Sequence, residues 1–125
     1  MTFTDITNPV PVQPGIRAYN MTASGNIYKG QGVYIVQDNT VAAPVGTDVS
    51  QKLFGIAGGP ATHGKPIAVY GRLNLCRCKL SGNVTASTLV GLHNEGYIAP
   101  NSVGGNFAVV TKGVSSTGEG EILLY

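Results

Sequence analysis

The chain reads as an all-β protein: a small barrel or sandwich built from two similar β units, preceded by an extended N-terminal arm. Three observations carry that reading. Eighteen glycines and seven prolines punctuate 125 residues, which favours many turns over long helices. No window sustains the apolar period of 3.6 that a surface helix needs. Two stretches also say nearly the same thing: SGNIYKGQGVYIVQDNTVAAP at 24–44 and SGNVTASTLVGLHNEGYIAP at 81–100.

Residues 1–22 read as the arm. Pro9, Pro11 and Pro14 fall within six residues, which excludes a helix and favours extended or polyproline backbone. Such an arm is either disordered or laid across a neighbouring subunit, its backbone adding to an exposed sheet edge. Residues 23–125 then form a single β domain. Strands are predicted over 32–37, 40–43, 53–57, 66–70, 72–79, 88–92, 96–99, 106–111 and 120–125, each bounded by Gly, Asn, Asp or Ser. Gln37-Asp38-Asn39-Thr40 and His93-Asn94-Glu95-Gly96 are hairpin-like, because Asn, Asp and Gly tolerate positive φ. At most one helical turn is expected, near 46–52.

The repeat spans 24–70 and 81–125. Ser24-Gly25-Asn26 matches Ser81-Gly82-Asn83, Ala43-Pro44 matches Ala99-Pro100, and Ile67-Ala68-Val69-Tyr70 falls on Ile122-Leu123-Leu124-Tyr125, at separations of 57, 56 and 55 residues. A unit of four or five short strands is marginal alone, with one face and two edges open. Two units packed together close a barrel or a sandwich. The strand 72–79 bridges them, with Leu73, Leu75 and Arg77 on one face and Arg72, Asn74, Cys76 and Cys78 on the other.

Composition bears on function. Charged residues are 11% of the chain, against roughly 25% in ordinary soluble domains. An exterior so poor in charge fits an assembly whose surface is covered by partners; a small neutral domain, soluble as it stands, is the plain alternative. Apolar residues at 42% and a net charge of +2 exclude a disordered profile. The eight basic residues are scattered, only Arg72, Arg77 and Lys79 crowding together, and Trp is absent. Neither a phosphate-binding stripe nor a base-stacking platform results, so no nucleic-acid partner is expected. The N-terminus lacks the basic and apolar regions of a signal peptide. No stretch approaches the length of a membrane span, and no membrane partner is expected. Two cysteines fit a reducing cytosol.

The chemistry-bearing residues form no site. Cys76 and Cys78 share one strand face, where a mutual disulfide would be strained; they read as small buried thiols rather than zinc ligands. His63 and His93 lie in turns of different units. Asp38, Asp48, Glu95 and Glu119 sit in predicted turns, and no nucleophile elbow, HExxH or phosphate-binding loop occurs. The sequence therefore predicts no enzyme, no catalytic residues, no metal and no cofactor. Six tyrosines are available as interface anchors or as ordinary strand residues.

The order of a Pro-Gly arm, GNIYKGQGVYIVQDNTVAAP, then LFGIAGGPATHGKPIAVYGRLNL, then a second unit of the same type, resembles the small β-rich head decoration, or cement, proteins of tailed bacteriophages, including the capsid-fibre or DUF2190-like group. The resembling phrase runs Phe54-Gly55-Ile56-Ala57, then Gly64-Lys65-Pro66-Ile67-Ala68-Val69-Tyr70-Gly71-Arg72-Leu73. The resemblance covers roughly residues 13–125 and is one of strands and glycines. It implies a virion protein, made in the host cytoplasm, that binds the major capsid protein on the outer shell and bridges neighbouring subunits. It also implies a homo-oligomer, a trimer rather than a dimer. Capsid contact falls to the arm: Phe3, Ile6, Pro9, Val10, Pro11, Val12, Pro14 and Ile16. The alternative is a carbohydrate- or receptor-binding β domain on a virion or secreted surface.

Overall fold

The computed structural model describes residues 3–13, 17–46 and 49–125. Ten strands follow one another: β1 (Tyr19–Ala23), β2 (Gly32–Gln37), β3 (Thr40–Ala42), β4 (Gly55–Ala57), β5 (Pro66–Tyr70), β6 (Leu75–Leu80), β7 (Leu89–Leu92), β8 (Ile98–Ala99), β9 (Asn106–Lys112) and β10 (Gly118–Leu124). A single 3-10 turn covers Asn94–Gly96. No helical turn forms at the described residues of 46–52.

The protein is two small closed barrels of the same topology. The first closes in the order β1-β3-β2-β4-β5, the second in the order β6-β8-β7-β9-β10. In each, the first and third strands run parallel and every other pair antiparallel. Closure covers most of the sheet edge that a lone unit would leave open, although the first and third strands pair over only a short stretch in each barrel.

The registers fix which residues correspond. Tyr19↔Val69 matches Cys76↔Ile122, Val33↔Gly55 matches Val90↔Ala108, and Val41 beside Ala23 matches Ile98 beside Leu80. Positions in β1 to β3 thus sit 57 residues before their counterparts, and those in β4 and β5 sit 53 before theirs. The difference is a shorter β8–β9 connection.

Three expectations change. Residues 19–22, placed in the arm by sequence, belong to the first strand of the first barrel, Tyr19–Ala23. Residues 75–80 do not bridge two units but are the first strand of the second, preceded by a turn in which Leu73 takes φ +68° and stands exposed. The last strands align two residues away from the sequence match: Tyr70 corresponds to Leu123, not Tyr125. A slip of two keeps every side chain on its face, so the IAVY and ILLY segments look alike in either register.

The turns recur with the strands. Gly25 and Gly82 open each unit at φ +79° and +82°, a region that L side chains rarely adopt. Each Gly N–H is tied to a side chain from the far end of its own unit, 2.9 Å from His63 Nδ1 and 2.9 Å from Thr117 Oγ1. The isolated bridges Ile27↔Ala61 and Val84↔Val114 correspond as well. Asn39 and Glu95, both at positive φ, turn the two expected hairpins.

The first barrel buries Met21, Ala23, Ile27, Val33, Val41, Ala57, Ile67 and Val69 around one centre. Around the second pack Cys76, Cys78, Leu80, Val84, Val90, Leu92, Ile98, Ala108, Val110, Ile122 and Leu124. Val49, Leu53 and Ile56 join this second core from the first unit, so the barrels share apolar surface. Buried Gln31 crosses the junction: its Oε1 accepts from Tyr28 N at 2.9 Å and its Nε2 donates to Glu95 O at 2.6 Å.

Candidate partner-binding surface

The arm is where sequence placed the contact residues, and the structure folds it onto its own chain. Ile6 N donates to Lys29 O at 3.1 Å, and Lys29 N donates to Asp5 Oδ1 at 2.8 Å, which ties the arm to the first barrel. Further on it lies antiparallel against β6: Arg77 N donates to Val10 O at 2.7 Å and Val12 N to Leu75 O at 3.0 Å, flanking a Pro11↔Cys76 bridge. Asn8 donates through N and Nδ2 to the Glu119 carboxylate at 3.1 and 2.9 Å.

Side chains follow the backbone inward. Phe3, Ile6 and Val10 are buried. Phe3 meets Tyr97 at a ring separation of 5.0 Å, with Lys79 Nζ 4.7 Å from its centroid. Ile6 packs so tightly over Gly30, at φ +87°, that a Cβ there would stand 2.5 Å from Ile6 Cγ2. These three side chains, expected from sequence to meet a partner, are buried within the protein's own chain. The reason is proximity: a tethered segment meets its own chain at high effective concentration. Pro9 is exposed, Pro11 and Val12 are half-buried, and Pro14 and Ile16 lie outside the described residues.

Sequence reasoning missed the residues that hold the arm. Lys79 Nζ donates to Thr4 O and Oγ1 at 2.8 and 2.7 Å, and Arg77 Nη1 donates to Pro9 O at 2.9 Å. The signal was available, since Arg77 and Lys79 alternate with Cys76 and Cys78 and so take the outward face of β6.

A second surface opens where the barrels meet. Tyr19 and Phe54 pack at a ring separation of 5.6 Å, and with Arg72, Phe107 and Tyr125 they line a depression of about 340 Å³. A neighbouring one of about 480 Å³ is lined by Tyr34, Ile35, Gln51 and Lys52, and shares Leu53 and Phe54 with the first. Lys52 Nζ lies 5.9 Å from the Phe107 ring centroid. A third cleft, about 550 Å³, sits on the first barrel between Asp5, Asn26, Tyr28, Thr62 and Lys65.

The thiols and imidazoles have structural surroundings. Cys76 and Cys78 are free and buried on the core face of β6. Burial pushes the Cys76 thiol up to about 12. The Cys78 thiol is pushed up further, by burial first and then by Cys76 and Glu119, so neither is a nucleophile at neutral pH. His63 caps the Gly25 turn, and His93 Nε2–H donates to Pro100 O at 2.8 Å. Among the described residues, no three of His, Cys, Asp and Glu converge on a point where a metal ion would sit. No helix among them is long and apolar enough to cross a membrane.

No protein-family model matches the sequence, and no curated protein matches it. Among solved structures, the chain is similar to the head fiber gp8.5 N base of bacteriophage phi29. The TM-score is 0.63 at 8% sequence identity, over 86% of this chain and 92% of that one. The two share a fold.

Proposed function

We propose that this protein is a non-enzymatic structural component of a bacteriophage virion, which sits on the outer surface of the capsid, binds the major capsid protein and stabilises the shell by bridging neighbouring subunits. The observation that carries this reading is the fold shared with a phage head fiber base over most of both chains. The weakly charged composition supports it. The protein acts as a homo-oligomer, a trimer rather than a dimer, because each added contact is then intramolecular and multiplies avidity. A decoration that binds the assembled lattice and not free subunits stabilises the lattice by mass action. The arm contributes only what it leaves open, chiefly Pro9, since Phe3, Ile6 and Val10 are occupied within the chain.

The test mixes the full chain with undecorated capsids of its source virus. Co-sedimentation at a fixed ratio to capsid subunits, with a rise in the temperature at which shells break, is expected. Absence of binding at saturating protein overturns the reading. A carbohydrate-binding role is favoured by one feature, the cleft in which half-open Tyr28 stands among Asn26, Thr62 and Lys65. Glycan binding that Tyr28→Ala abolishes, without shell binding, would establish it instead.

A further inference from the structure

We propose that the open edge at the start of β1, from Ala18 just before it to Asn20 within it, is a docking slot for an extended strand of the partner, one carrying apolar side chains at alternate positions and carboxylates beside them. The identity of the partner rests on the capsid reading; the slot rests on a comparison of the two barrels.

In the second barrel the β6–β8 pairing is confined to Leu80↔Ile98. Upstream of it, the edge of β6 is taken by the arm, through Arg77 N to Val10 O and Val12 N to Leu75 O. In the first barrel the β1–β3 pairing begins at Thr22↔Thr40. The counterparts of Arg77 and Leu75 there are Asn20 and Ala18. Thr22 N donates to Asn39 O on the β3 side, and alternation turns Asn20 N to the same side. Among the described residues nothing pairs with Asn20 or Ala18 there. One barrel has its slot filled by an extended strand; in the other, no described residue fills the same slot.

Side-chain exposure makes the same point independently. Cys76 is 0% exposed and its counterpart Tyr19 is 51% exposed; Leu92, closed over by Gly32 of the first barrel, is 1% exposed and its counterpart Ile35 is 47% exposed. Positions closed over in the second barrel stay half-open in the first. They border the two depressions described above, so a strand added to β1 would bury apolar groups as well as pair its backbone.

The chemistry of the occupant follows from the rim. Lys52 and Arg72 flank the depressions, and no Asp or Glu side chain is among their described lining residues. Acidic side chains on the incoming strand are therefore complementary. A second copy of this chain does not offer such a strand, because its arm is already engaged by Lys29, Glu119 and β6.

The experiment uses the full chain and undecorated shells. Amide hydrogen exchange at Asn20 is measured with and without shells, and co-sedimentation is compared for wild type, Asn20→Pro and Ile35→Asp. Proline on an unpaired edge is tolerated by a strand, and Ile35 is exposed, so both variants should fold. If Asn20→Pro does not, Ile35→Asp and the exchange measurement decide. Protection of the Asn20 amide by at least tenfold in the complex, with at least tenfold weaker shell binding by the variants at unchanged melting temperature, is expected. If wild type binds shells while Asn20 exchanges freely and both variants bind as wild type, the slot is wrong and the capsid reading survives. If wild type binds no shells, the capsid reading fails, and this occupant with it. If Asn20 becomes protected without shells as protein concentration rises, a second copy fills the edge and the proposal is overturned.

Discussion

Cutting Val10 back to alanine tests whether the arm is a local lid on the second barrel. Val10 is buried among the core residues around Cys76, in an arm held by only two β6 backbone bonds at that point. Val10→Ala removes two methyl groups, worth about 1.6 kcal/mol at ~0.8 kcal/mol each. That shifts the closed-to-open equilibrium of the arm by about 15-fold, since ~1.4 kcal/mol is tenfold. The barrels themselves identify what opening exposes. Tyr19, the counterpart of Cys76 without an arm strand beside it, is half-exposed, while Met21, the counterpart of Cys78, is buried. Lifting the arm should therefore bare Cys76 and leave Cys78 covered. The assay is reaction with a thiol reagent at neutral pH, using Cys78→Ser and Cys76→Ser proteins so that one thiol reports at a time. Val10→Ala should accelerate Cys76 about 15-fold and leave Cys78 nearly unchanged. Equal acceleration of both would mean that the arm leaves only on global unfolding, and the lid argument would be refuted. No acceleration of either would place Val10 outside the opening step altogether.

Three further outcomes are expected. Both thiols are held above the ordinary value of 9.0, so the fold favours the neutral form. Their stabilising effect is whole below about pH 9 and is lost as pH rises towards 12, at up to ~1.4 kcal/mol per pH unit for each thiol. Urea midpoints of wild type should fall more steeply above pH 9 than those of a Cys76→Ser, Cys78→Ser double variant, and parallel curves would contradict this. Gln31→Ala leaves the Glu95 carbonyl and the Tyr28 N–H without the partner that joins the barrels, at a cost of about 2–3 kcal/mol in urea unfolding; a loss under ~0.5 kcal/mol would show that water replaces the amide. Gly30→Ala sets a Cβ against Ile6 at positive φ, with a backbone penalty alone of about 1–2 kcal/mol. It should weaken the arm's seat and speed Cys76 labelling, and an unchanged rate would remove Gly30 from that seat.

Most strands were legible because their residues alternate cleanly between turn signals. Gly32–Gln37 and Pro66–Tyr70 fall where sequence places them. The repeat was legible through its turns rather than its strands: Ser-Gly-Asn recurs because each unit needs a glycine at positive φ at the same corner. Tyr-Asn-Met-Thr-Ala and the Cys-Arg-Cys-Lys-Leu segment of β6 share no residue, although they occupy the same place in the two barrels. Their equivalence is a matter of pairing, which acts across 50 residues of sequence and leaves no local trace. The parallel pairing of first and third strands was hidden for the same reason. Sequence marked an apolar arm as either disordered or added to a neighbouring subunit's sheet edge, but an apolar side chain does not record whether its pocket is on its own chain. Phe3, Ile6 and Val10 went to the protein's own core on that account.

Two units with the same topology face the same structural problem: a third strand too short to cover the edge of the first. The second unit solves it with the arm, whose outer carbonyls are held by Arg77 and Lys79. The first unit has Asn20 and Thr22 at the positions of those two basic residues, both exposed; β3 begins to pair only at Thr22, and on that side of Asn20 no strand pairs among the described residues. A bare edge is a liability to any soluble protein, controlled when it is short, polar or charged at its rim. This one is all three: a few residues long, marked by Asn20 and bordered by Lys52 and Arg72. Such an edge resists indiscriminate self-pairing while accepting a strand of complementary charge. The loss of symmetry between the barrels thereby separates two tasks, one slot closing the fold and the other left to a partner.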